Sequence, residues 1–166
     1  MTDPITPSPS MPFPGDKPVR RASFMFEATL EDVSRVAQAL RFFIPPEVPE
    51  EAKSEMEIGV VEAMTNIVKH GYASSEHGVI EVSYSLSAGV ITIELRDQGK
   101  PISSEALFGN DDAVFDFDPQ DIDNLPESGM GMSLMRNTFD QIDYESVDGS
   151  NLLRMVKHVQ VPPASD

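Results

Sequence analysis

Apolar residues change their spacing several times along this chain, and each change marks an element. In SFMFEAT, Phe24, Phe26 and Ala28 alternate with their neighbours, the two-residue period of a half-buried strand. LEDVSRVAQALRFFI then repeats apolar residues at Leu30, Val33, Val36, Ala37, Leu40 and Ile44, which predicts a helix with one buried stripe. PPEVP ends it, because proline has no amide to donate and its ring blocks the preceding turn. A second, longer helix is predicted from about Glu50 to His70, stopping at Gly71 as helices often stop at glycine. GVIEVSYSL and VITIELRD read as strands of a hairpin joined by the short SAG turn. Periodicity dissolves from Gln98 to Ser128. MGMSLMRNTF then predicts a short helix, and DQIDYESV and NLLRMVKHVQV predict two strands around DGS.

These elements sum to an α/β two-layer sandwich: a mixed, largely antiparallel sheet with helices on one face. Hairpins between neighbouring strands argue against a doubly wound parallel sheet. The proline-rich residues 1–21 lack periodicity and read as a disordered tail, residues 22–160 as one domain, and residues 161–166 as a second tail. A chain of 166 residues is long enough for one such core.

Composition narrows the function classes. A formal charge of −16 argues against a nucleic-acid surface, which needs clustered Lys and Arg, and it suits a soluble protein or one that docks a basic partner. No apolar run reaches the roughly 20 residues needed to span a bilayer, and the N-terminus lacks a secretory pattern. A cytoplasmic location is the resulting expectation. There is no cysteine, and His70, His77 and His158 are too scattered to suggest a zinc motif.

Three stretches carry candidate chemistry. In EIGVVEAMTNIVKHGYA, Val60, Val61, Met64, Ile67 and Val68 form the apolar stripe, while Glu62, Asn66 and His70 stack four residues apart on the other side. A carboxylate there can take a proton, and an amide oxygen can hold Mg²⁺. LRDQGKPI ends a strand at Asp97, a strong acceptor, and follows it with Gly99, which lets backbone come close. ESGMGMSLMRN places Gly129 and Gly131 before a helix, where bare amides attract anions. Leu134 at the third glycine position excludes a dinucleotide fingerprint, and no Gly-Lys-Ser/Thr ending makes a Walker A loop. Taken singly, each stretch is equally an ordinary solvated face, turn or cap.

In combination, and in this order, the three stretches resemble the Bergerat nucleotide-binding fold of the GHKL group, which includes gyrase, MutL and histidine-kinase catalytic domains. VVEAMTNIVKHGYA, LRDQGKPI and ESGMGMSLMRNTFDQIDYE look most like bacterial anti-sigma factor serine/threonine kinases. The resemblance implies that Asn66 coordinates the Mg²⁺ of bound ATP and that Asp97 accepts the adenine amino group beside Gly99. It implies that Gly129 and Gly131 bring backbone amides to the phosphates, and that Glu62 is the general base acting on a partner's serine or threonine hydroxyl. Residues 98–128 would be the ATP lid, with eight acidic residues in SSEALFGNDDAVFDFDPQDIDNLPES and Phe108, Phe115 and Phe117 among them. Lys100 and Arg136 are candidate phosphate-neutralising cations or equally surface charges, and His70 either finishes the helix or lines the cleft.

The implied activity is phosphorylation of a STAS-domain anti-anti-sigma factor, with a sigma factor as the other partner and a homodimer as the implied assembly. The alternative is a nucleotide-dependent binding module with little or no phosphotransfer. Two departures from the pattern stand out. NLLRM holds no threonine where relatives often place one near the adenine-binding Asp, and Ser128 replaces a glycine common in relatives.

Overall fold

The computed structural model describes residues 20–72, 78–103 and 135–160. Strand β1 (Arg20–Glu27) leads into helix α1 (Leu30–Arg41) and helix α2 (Glu50–Asn66), which continues as a π-helical turn over Ile67–Gly71. Strands β2 (Val79–Ser87), β3 (Val90–Asp97), β4 (Gln141–Val147) and β5 (Ser150–His158) complete the sheet. Residues 135–138, between β3 and β4, are helical.

The strand order is β1-β2-β3-β5-β4. All four pairings are antiparallel, so the sheet expected to be mixed contains no parallel pair among the described strands. The two-layer sandwich itself is present as expected. β1 opens at Arg20, paired with Leu86, so the strand reaches into the stretch read as tail. Residues 1–19 and 161–166 lie outside the described residues, as does most of the segment read as a lid.

The two-residue period delivers the core. Ile80, Val82, Tyr84 and Leu86 of β2, Ile91, Ile93 and Leu95 of β3, and Leu153 and Met155 of β5 are buried on one face. The other face carries Ser23, Ser83, Ser85, Thr92, Glu94 and Arg154, which suits an antiparallel sheet with one solvated side. Onto the apolar face α1 brings Val33, Ala37 and Leu40, and α2 brings Met56, Val60, Ala63 and Met64. Each Val, Leu, Ile or Met side chain buried in this way contributes about 1.5–3 kcal/mol of transfer free energy.

Local signals set the element ends. Thr29 caps α1: its Oγ1 accepts from the Asp32 amide at 3.2 Å, while Glu31 and Asp32 sit at the positive end of the helix dipole. Pro49 precedes the first turn of α2, where Glu50 and Glu51 play the same electrostatic part. Both hairpins turn through two residues at positive φ, Ala88–Gly89 and Asp148–Gly149, as the right-handed strand twist favours. Arg41 ties the end of α1 to α2 through Glu57 at 2.8 Å.

Candidate functional site

Three packing contacts bring distant parts of the chain together, and glycine or a short polar side chain makes each of them possible. The first joins the end of the second helix to the loop after β3. A Cβ on Gly99 would lie 2.8 Å from the carbonyl carbon and oxygen of Gly71. The Lys100 amide donates to that same Gly71 oxygen at 2.8 Å. Gly99 is therefore required by the backbone of Gly71, a reason the sequence alone did not give.

The π-helical turn at Ile67–Gly71 follows directly on Asn66. Such wide turns are rare and concentrate at functional sites. Here it changes the phase of the helix after Asn66. Glu62 and Asn66 remain half-buried one turn apart, whereas His70, expected to stack with them, is exposed. Tyr72 then straps the helix end to the sheet, donating its hydroxyl to the Val79 carbonyl at 3.0 Å and accepting from the Gln98 amide at 2.9 Å.

The second contact is polar. Asp97 is the last residue of β3 and is only 5% exposed. Its Oδ1 accepts from the Gly99 amide at 2.8 Å and from Asn151 Nδ2 at 2.9 Å. Removal from water raises the Asp97 pKa above the ordinary carboxylate value, and the bonds from Asn151 and Gly99 partly oppose that rise. Asn151 faces Asp97 across the β3–β5 ladder, so strand register delivers the pair. Its Nδ2 also donates to the Gly99 carbonyl at 2.9 Å. Tyr144, in β4, holds the next stretch of loop by accepting from the Ile102 amide at 3.0 Å.

The third contact sets the helix at 135–138 against α2. A Cβ on Gly59 would meet the Phe139 ring at 2.9 Å and lie 3.6 Å from the Met135 Cα. Gly59 lies one helical turn before Glu62 on α2, so the helix expected to follow the Gly-x-Gly stretch packs beside the one bearing Glu62 and Asn66. Gly129 and Gly131 themselves fall outside the described residues. Lys100 is exposed, and Arg136 is half-buried.

Gly71, which ends the turn after Asn66, thus lies against Asp97 and Gly99, and Glu62 stands one turn before Asn66 on the same helix. Asn151 was missed. It stands first in NLLRM, a stretch that reads as strand and lacks the threonine sought there. Only its register opposite Asp97 reveals it.

An acceptor buried at a strand end suits a nucleobase donor, and a half-buried amide one turn beyond a carboxylate suits a metal–phosphate group. Among the described residues no cluster of three or more His, Cys, Asp or Glu is placed to hold a metal by itself, so a cation held through Asn66 would need ligand oxygens as well. No helix of the described residues is long and apolar enough to cross a membrane.

Comparison with known proteins agrees with this arrangement. The model of the histidine kinase-like ATPase domain matches residues 26–157. An anti-sigma F factor of a Thermoanaerobacter species is 30% identical over 141 residues, spanning 82% of this chain and 91% of the relative. That of Anoxybacillus flavithermus is 30% identical over 107 residues, 64% of this chain and 69% of the relative. Among solved structures, the RsbU and RsbW domains of Rv1364c from Mycobacterium tuberculosis superpose with a TM-score of 0.59 at 15% identity, covering 86% of this chain and 33% of the other. At that identity the likeness speaks for the fold alone. The fold, the order of the three stretches and the matched span together make this chain a member of the histidine kinase-like ATPase domain family, the GHKL group, with anti-sigma F factors among its relatives.

Proposed function

We propose that this chain is an ATP-dependent serine/threonine protein kinase that holds a sigma factor and phosphorylates a STAS-domain anti-anti-sigma factor in the cytoplasm. The observation that supports the reading is the seating of Gly71, the end of the turn after Asn66, against Gly99 and Asp97. Asp97 would accept the adenine amino group, with Gly99 beside it. Asn66 would hold Mg²⁺, which when bound supplies charge neutralisation at the phosphates. Gly129 and Gly131 would carry amides toward those phosphates.

Glu62 would take the proton of the partner's hydroxyl as its oxygen forms a bond to the terminal phosphorus. The bond between that phosphorus and the bridging oxygen breaks, and ADP leaves. A positioned base of this kind typically contributes about 10²–10⁴-fold. The anti-sigma F factors among the relatives support the sigma-factor partner.

The test is incubation of the full chain with Mg-ATP and candidate STAS-domain proteins, reading phosphate on the partner. Glu62→Ala is expected to abolish labelling while ADP still binds by calorimetry. Equal labelling by wild type and variant overturns the assignment of the base. Nucleotide binding and sigma-factor capture without any labelling would favour a nucleotide-dependent binding module. No heat from folded protein at millimolar ADP with Mg²⁺ would end the nucleotide reading altogether.

A further inference from the structure

Asn151 makes an unequal set of contacts. Its Nδ2 spends its donors on Asp97 Oδ1 at 2.9 Å and on the Gly99 carbonyl at 2.9 Å. Both of these partners are acceptors only, so the amide cannot be turned over without setting oxygen against oxygen. Asn151 Oδ1 is then left buried with no donor, one of two such side-chain atoms among the described residues. Leaving a buried acceptor unpaired is costly, and native structures keep such atoms where a water or ligand completes them.

The consequence falls on Asp97. Oδ1 accepts from the Gly99 amide and from Asn151 at once, and neither bond reaches Oδ2. A carboxylate held by one oxygen in this way cannot exchange its two oxygens by rotation without losing both bonds. It keeps Oδ2 available to a donor from outside. Asn151 also fixes the Gly99 carbonyl, so the loop backbone and the carboxylate are set by one side chain. This corner of the site therefore presents an acceptor, Asp97 Oδ2.

We propose that Asn151 is the positioning residue that makes this site select a base bearing an exocyclic amino group over one bearing a carbonyl oxygen. It acts through Asp97, and the proposal rests on the reading of Asp97 as the nucleobase acceptor. A site built to bond a donor rejects an analogue that offers an acceptor instead, because buried polar groups are then left unpaired. Selection weakens when the carboxylate is free to turn.

The experiment is calorimetric titration of the full chain with ADP and with inosine diphosphate, which carries a carbonyl oxygen where ADP carries the amino group. Wild type is expected to bind ADP at least about tenfold tighter than the inosine nucleotide, the worth of one charge-assisted hydrogen bond. Asn151→Leu has the same branching, is somewhat larger and offers no donor. It is expected to lose most of that ratio through weaker ADP binding, with the inosine nucleotide changed less than about threefold and the melting temperature lowered, since Asp97 and Gly99 each lose a donor. Asn151→Ser keeps one hydroxyl and is expected to fall between, and it carries the same comparison if the leucine variant does not fold. An unchanged ratio, or a parallel loss for both nucleotides, overturns the positioning role while nucleotide binding stands. Failure of wild type to bind either nucleotide overturns the reading of Asp97, and this proposal with it.

Discussion

Gly99 meets Gly71 backbone to backbone, so close that a single added carbon at 99 would fall 2.8 Å from the Gly71 carbonyl. Neither partner can move cheaply, since Gly71 ends the π-helical turn and Gly99 is tied to Asp97 and Asn151. Gly99→Ala is therefore expected to cost about 1–3 kcal/mol of stability, the range for overpacking. It should also weaken nucleotide binding, because the helix end and the loop must separate. Denaturant unfolding and ADP titration of the variant check both parts. A variant as stable as wild type would remove this contact from the account of the site.

The role proposed for Asp97 sets stability against binding. Its folded pKa is raised by burial, so the native state favours the protonated form. That contribution is present at low pH and is lost as pH rises through the folded value. Asp97→Asn keeps an oxygen able to accept from Gly99 and Asn151 and carries no charge. The nucleotide-free variant is expected to melt at or above the wild-type temperature at pH 7, with the difference shrinking toward pH 3–4, about where a free carboxyl titrates. ADP affinity should fall at least about tenfold over the same comparison. Thermal melts across pH and one titration read both.

The base role proposed for Glu62 separates chemistry from binding. Glu62→Gln keeps the size and removes the basic oxygen. The phosphorylation rate is expected to drop by about 10²–10⁴-fold with ADP affinity within about threefold of wild type. A comparable loss of nucleotide binding would mean the residue shapes the pocket instead.

Asp140 reports on acid stability away from the site. The His158 backbone amide donates to its Oδ2 at 2.6 Å, the His158 ring lies 3.1 Å from the same oxygen, and Lys157 adds a weaker attraction. These hold the Asp140 pKa below 3.8, the His158 backbone bond most of all. A lowered carboxylate stabilises the fold above its unfolded pKa and loses that contribution as pH falls through the folded one. Asp140→Asn should thus lower the melting temperature at neutral pH and bring the two proteins together in acid. Parallel melting curves from pH 7 down to about pH 2 would contradict this.

Ala88 stands at φ 49° in the β2–β3 turn and is exposed. A residue with a Cβ is strained in this left-handed region, while Gly or Asn adopts it readily. Ala88→Asn is expected to gain about 0.5–1 kcal/mol without touching binding, as measured by thermal or chemical unfolding.

Local pattern by itself determined the elements and their order. Period two wrote the strands, the 3.6-residue period wrote α1 and α2, and Asp-Gly and Ala-Gly marked the hairpin turns, because these signals act between near neighbours in the chain. The same pattern separated Val60, Met64 and Ile67 from Glu62 and Asn66 on the second helix, and the resemblance of three short stretches pointed to the family. What tertiary structure alone decided is how those stretches meet. Nothing local distinguishes Asn151 from any polar residue opening a strand; the β3–β5 register places it on Asp97. Nothing local says that Gly99 is small because of Gly71, or Gly59 because of Phe139, since each pair is joined only by packing across the fold. The π-helical turn after Asn66 belongs to the same class. Short-range spacing specifies which side of an element is wet, whereas the shape of a site depends on contacts between residues tens of positions apart, and those exist only once the chain has closed on itself.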